Sequence, residues 1–143
     1  MLSLYMIMFF RLSASKEPGH FLVPDSHTLE GRIVRDVTLK AGGRLSVQFS
    51  LFVSSYNAAE TDTDKNPSFD INLVDKDDNH IALMDIRTLM NSGKVTEGKW
   101  SEHIILYVPI EEGDEGKFSL EISLRDGQLG GKIAVDDIIV RLN

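Results

Sequence analysis

The segment Leu45-Ser46-Val47-Gln48-Phe49-Ser50-Leu51-Phe52-Val53-Ser54 has apolar residues at every odd position. The even positions hold Ser46, Gln48, Ser50 and Ser54, with Phe52 as the one exception. A hydrophobic period of two is the mark of a strand with one buried face, because successive side chains in a strand point to opposite sides. A helix would repeat near 3.6 instead.

The same alternation recurs on both sides of this segment. Phe118, Leu120, Ile122 and Leu124 alternate with Ser119, Glu121, Ser123 and Arg125. Phe69, Ile71 and Leu73 face Asp70, Asn72 and Val74, while Trp100, Ile104, Leu106 and Val108 share a parity against Ser101, His103, Ile105 and Tyr107. Ile33, Val37 and Leu39 make a weaker strand. Turn chemistry separates the runs: Ala41-Gly42-Gly43, Asp75-Lys76-Asp77-Asp78-Asn79, Glu112-Gly113-Asp114-Glu115-Gly116 and Gly127-Gln128-Leu129-Gly130-Gly131. The second of these reads as a hairpin loop, and the stretch from Ser54 to Ser68 as a long loop. Only Asp85 to Met90 suggests a helical turn. Strands that each bury one face are satisfied when two sheets face one another. The expectation is therefore an all-β, two-sheet antiparallel sandwich of about eight strands, with a closed barrel as the alternative.

The chain has 143 residues, which fits one domain able to bury about two thirds of its unfolded surface. There is no cysteine, so disulfides, thiolate metal sites and a cysteine nucleophile are excluded. The net charge of −7 comes with no Lys/Arg cluster, which argues against nucleic acid and anionic membrane as partners. Acidic residues bunch at Glu60 to Asp64 and Glu111 to Glu115, as solvated loop tips do. From Met1 to Phe10 the chain is apolar on both parities, Leu2, Leu4, Met6, Met8 and Phe10 against Tyr5, Ile7 and Phe9. The run is too short to span a bilayer and lacks the preceding positive charge of a secretion signal. It reads as an N-terminal strand within residues 1–13 that needs cover on both sides. At a sheet edge, a second copy could supply that cover through Leu2 to Phe10, giving a homo-oligomer.

The C-terminal run Gly131-Lys132-Ile133-Ala134-Val135-Asp136-Asp137-Ile138-Ile139-Val140 changes phase. Ile133 and Val135 share one parity, and Ile138, Val140 and Leu142 the other, so a β-bulge is expected across Asp136-Asp137. This ending resembles the last strand of galactose-binding-like jelly rolls, the fold of many carbohydrate-binding modules, and is also similar to the ending of MAM adhesion domains. Further pieces of the resemblance are Leu39-Lys40-Ala41-Gly42-Gly43-Arg44-Leu45-Ser46-Val47-Gln48-Phe49, the Asp-rich hairpin from Phe69 to Ile81, and Gly98-Lys99-Trp100. It covers about residues 30–143. It implies a jelly roll, a carbohydrate ligand, an extracellular or cell-surface setting, and a structural calcium held in part by Asp136. The alternative for Asp136 and Asp137 is that they accept backbone hydrogen bonds at the bulge or face water.

No motif identifies a reaction. Asp62-Thr63-Asp64-Lys65-Asn66 opens like a calcium loop, but Pro67 and Leu73 stand where glycine and glutamate are required. His20, His27, His80 and His103 show no metal-binding spacing. The nucleophile elbow, phosphate loop and dinucleotide fingerprint are all missing. The outward faces of the central strands would gather Gln48, Phe52, Asn72, His103, Tyr107, Glu121 and Arg125. Sugar recognition needs planar hydrogen-bonding groups for hydroxyls and a ring for the sugar's C–H face. This set has both, with Phe52, Tyr56 and Tyr107 as stacking residues. The plain alternative is that sandwich strands carry such residues outward anyway. Trp100 is expected in the core, and Asp85 and Glu102 in structural roles. The functional expectation is a non-catalytic binding module for glycan. The alternatives are an interaction domain that oligomerises through its N-terminal strand, or a small jelly-roll enzyme acting on carbohydrate.

Overall fold

The computed structural model of this chain describes residues 4–8, 21–25 and 30–143. Along the chain these form β1 (Leu4–Met8), β2 (Phe21–Leu22), β3 (Glu30–Leu39), β4 (Arg44–Val53), β5 (Ser68–Val74), β6 (His80–Asp85), α1 (Ile86–Asn91), β7 (Ile104–Pro109), β8 (Gly116–Arg125) and β9 (Ile133–Leu142). All pairings between these strands are antiparallel. One sheet has the order β1-β9-β4-β7, with β2 pairing β9 next to β1, and the other the order β3-β8-β5-β6. In each sheet a late strand is inserted between early ones, β9 beside β4 and β8 between β3 and β5. That interleaving is the strand order of a jelly roll. The two sheets remain open-edged, so the architecture is a sandwich and not a barrel.

The alternation places the core as the sequence implies. Leu45, Val47, Phe49, Leu51 and Val53 of β4 are fully buried, and Phe69, Ile71, Leu120, Ile122 and Leu124 face them from the other sheet. The rings of Phe49 and Phe69 meet between the sheets at 5.0 Å. The N-terminal run forms β1, which lies at the edge of its sheet and pairs only with β9 among the described residues. The rest of the 1–13 segment lies outside the described residues.

The Asp75 to Asn79 segment is the expected hairpin loop between β5 and β6. Its geometry comes from the Asp75 carboxylate, which accepts from the backbone N–H of Asp77 at 2.8 Å and of Asn79 at 2.9 Å, and from Asn79 Nδ2 at 2.9 Å. The Asn79 side-chain bond, then the backbone bonds, hold its pKa below the ordinary value. Asp78 takes the left-handed conformation that aspartate tolerates in turns, at φ 64°. At the end of β6, Asp85 caps α1 by accepting from Thr88 N–H at 2.8 Å, and Ile86 and Leu89 pack inward.

Candidate functional site

The outer face of the β1-β9-β4-β7 sheet is shaped by two irregularities at one level. Between β4 and β9, Gln48 pairs Ile139 but Ser50 pairs Asp136, so β9 carries one extra residue there. This is the expected bulge, and Asp137 sits in it at φ 54°. On the other side of β4, Phe49 pairs Ile104 while Phe52 pairs Trp100, so the chain at 101–103 also carries one extra residue. Both neighbours of β4 therefore swell away from the ladder beside Ser50, whose small side chain forms a floor. The result is an open cleft of about 500 Å³ lined by Ser50, Trp100, Glu102, His103, Asp136 and Asp137. Bulges commonly sit beside functional sites because they re-aim side chains.

The slip at 101–103 also overturns the expected place of Trp100. Regular pairing would have kept it on the parity of Ile104, facing inward. One added residue flips a strand's faces, so Trp100 lies on the outer face with Phe52. Its ring packs edge-on against Phe21 at 5.4 Å and 62°, and tilted against Phe52 at 5.7 Å and 45°. It remains half-buried, and it lines both this cleft and an adjoining hollow of about 610 Å³ next to Lys99 and Glu102.

His103 links the polar groups of the cleft. Its Nε2 meets Asp137 Oδ2 at 3.1 Å, and its Nδ1 is 3.5 Å from Gln48 Nε2. With Asp137 accepting, Nε2 carries the proton and Nδ1 faces the Gln48 amide. The position a nucleophilic hydroxyl would take in an acyl-transfer triad is thus held by an amide. Such a set can offer fixed donors and acceptors to a ligand, but it has no activated nucleophile.

The expected site residues are divided between the two outer faces. Gln48, Phe52 and Tyr107 belong to the first sheet, and His103 immediately precedes its strand β7. Tyr107 lies near the far end of β4, opposite Ser46, 54% exposed and already covered by the Arg44 guanidinium at 4.7 Å. Asn72, Glu121 and Arg125 lie on β5 and β8 of the second sheet, across the sandwich. There Glu121 pairs with Arg32 at 3.4 Å, and Arg125 bridges to Asp64 at 3.0 Å and donates to the Thr63 carbonyl at 3.1 Å.

That second face holds a carboxyl that sequence reasoning missed. Asp70 on β5 lies directly opposite Asp85 on β6. Burial pushes the Asp70 carboxyl above its ordinary value, the like charge of Asp85 adds to this, and Arg125 pulls the other way. A carboxyl with a raised pKa has its ionised form penalised by folding, so the penalty is complete above the folded-state pKa and absent below the unfolded value near 3.8. Asp70→Asn is therefore expected to stabilise the protein at neutral pH, and to lose that advantage as pH falls towards 3.8. Solvent screens the half-exposed pair, so the gain should stay under about 1 kcal/mol. Thermal unfolding of both forms at pH 7 and pH 3.5 checks it, and a lower melting temperature for the Asn form at pH 7 would contradict the assignment.

Asp136, the residue through which calcium is implied, accepts the Asp137 N–H at 2.8 Å within the bulge. Among the described residues no group of three or more His, Asp or Glu side chains is placed to share a metal. Among the described residues no helix is long and apolar enough to cross a membrane. His20 and His27 lie outside the described residues, and His80 flanks its hairpin 3.8 Å from Asp78. Neither a scan against protein-family models nor a search of curated proteins finds a match to this chain.

Proposed function

We propose that this chain is a non-catalytic glycan-binding module of the galactose-binding-like type, with the bulge-framed cleft on its first sheet as the binding site. The observation that carries the reading is Trp100. Its indole is propped by Phe21 and Phe52 and borders a cleft whose other walls are Glu102, His103 and Asp137. A sugar offers hydroxyls at its rim and C–H groups on its faces, and a ring flanked by planar polar groups answers both. The jelly-roll strand order and the Asp136-Asp137 bulge agree with the family resemblance.

Because Trp100 is the only tryptophan, its fluorescence reports directly on the cleft. On a glycan array the protein should bind, and the bound sugar in solution should change the emission. Trp100→Ala should weaken binding by at least about tenfold, as loss of a central aromatic anchor does. His103→Ala, at an exposed position, should weaken it less and leave folding intact. Binding that survives Trp100→Ala unchanged would remove the site, and an array without any binding would remove the function.

The edge position of β1 favours a second reading, an interaction domain that pairs copies along that strand. A dimer by light scattering, combined with no glycan binding, would select it.

A further inference from the structure

We propose that the groove across the outer face of the second sheet is a second glycan site, so that one copy of the chain bridges two glycan strands held on opposite faces. The inference rests on the glycan reading of the Trp100 cleft and extends it. Two hollows of about 560 and 440 Å³ meet at Ser68, Asp70 and Arg125 and run from β3 across to the start of α1. Each is within the size range of small-ligand sites.

The groove's charges cancel: Glu30, Asp70 and Asp85 are matched by Arg32, Arg87 and Arg125. A lining of that kind selects neither an anion nor a cation, and suits a neutral ligand rich in hydroxyls. Asp70 is half-buried at the centre of the groove and lies opposite Asp85, and burial disfavours its ionised form. A sugar hydroxyl donates to such a carboxylate and accepts from a guanidinium such as Arg87 in the same lining. Tyr56, at the α1 end of the groove, supplies a ring for the sugar face. Stacked sheets lie about 10 Å apart with side chains beyond them on either side, so a single sugar strand lying on one face does not reach the other.

Calorimetric titration of the full chain with cellohexaose, xylohexaose and mannohexaose, and turbidity with soluble β-glucan, xylan and mannan, test this. The expected result is two equivalents of one hexaose per chain and cross-linking of the matching polymer. Trp100→Ala should abolish one equivalent, and the double variant Asp70→Asn/Arg87→Ala the other. Arg87 is exposed and Asn is isosteric with Asp, so the double variant should stay folded. Either change should end cross-linking while leaving one equivalent bound. One equivalent, lost in Trp100→Ala and untouched in the double variant, would overturn the second site and leave the first standing. Binding confined to the Asp70 groove would overturn both the bridging and the Trp100 assignment. No binding of any hexaose or polymer would overturn the second site together with the glycan reading.

Discussion

Replacing Phe49 with alanine should remove about 3–5 kcal/mol of folding stability, the usual cost of deleting a buried ring and leaving its cavity. Phe49 is 0% exposed and reaches across the sandwich to Phe69, which is also 0% exposed, at 5.0 Å and 39° between ring planes. Such a pair adds about 0.5–1.5 kcal/mol beyond the area it buries. Against a total stability of roughly 5–15 kcal/mol for a domain, this one substitution takes a large share. Urea unfolding followed by far-ultraviolet circular dichroism should give a lower midpoint at an unchanged slope. Phe52→Ala, on the same strand but the outer face, should cost clearly less. Equal losses at the two positions, or a loss below about 1 kcal/mol at Phe49, would contradict the inward and outward faces of β4.

Much of this architecture is legible in the sequence alone, because a period of two needs no knowledge of partners. The odd positions of β4 and the apolar sets of β5 and β8 went inward as their alternation required. The phase change at Asp136-Asp137 is visible in the sequence for the same reason: a bulge leaves its trace in the strand that bears it. Asp75 to Asn79 and the Asp85 cap follow from local side-chain chemistry that acts within a few residues.

What the sequence hid are the consequences of single-residue slips between strands. Trp100 shared a parity with Ile104, and only the extra residue at 101–103 turned it outward. Asp70 and Asp85 tell the same story. Continuing the hairpin register from Val74 opposite His80 would set Asp70 opposite Met84. The extra residue at Leu83 moves Asp85 into that place and puts both carboxyls on one face. Strand order was equally out of reach, so Gln48 and His103 could not be separated from Asn72, Glu121 and Arg125. Alternation says which residues point outward, but not from which sheet. Both candidate sites thus arise at register slips, where local pattern stops determining geometry and loops or bulges take over.

The Gly127→Ala variant is expected to lose about 1–3 kcal/mol, the usual cost of forcing extra atoms into packed structure, and to disturb only one of the two faces. A Cβ at Gly127 would press on the Lys65 carbonyl and come within 2.8 Å of Asn66 C and Pro67 N. All three are backbone atoms, so no side-chain rotation relieves the clash. The loop holding them is tied to this corner by Gln128 N–H to the Asp64 carbonyl at 3.1 Å and Leu129 N–H to the Lys65 carbonyl at 3.4 Å. The same loop supplies Asp64 and Thr63 to Arg125. Pushing it away therefore frees the guanidinium that lines the groove of the second sheet, while the Trp100 cleft, on the opposite face, keeps its walls. Gln128→Ala, one residue along at an exposed position, should change stability by no more than about 0.5 kcal/mol. In amide spectra of Gly127→Ala, residues 63–67 and Arg125 should shift and residues 100–103 and 136–137 should not. A Gly127→Ala form as stable as the parent would mean that the two loops do not touch, and Arg125 would then lack the support that holds it in the groove.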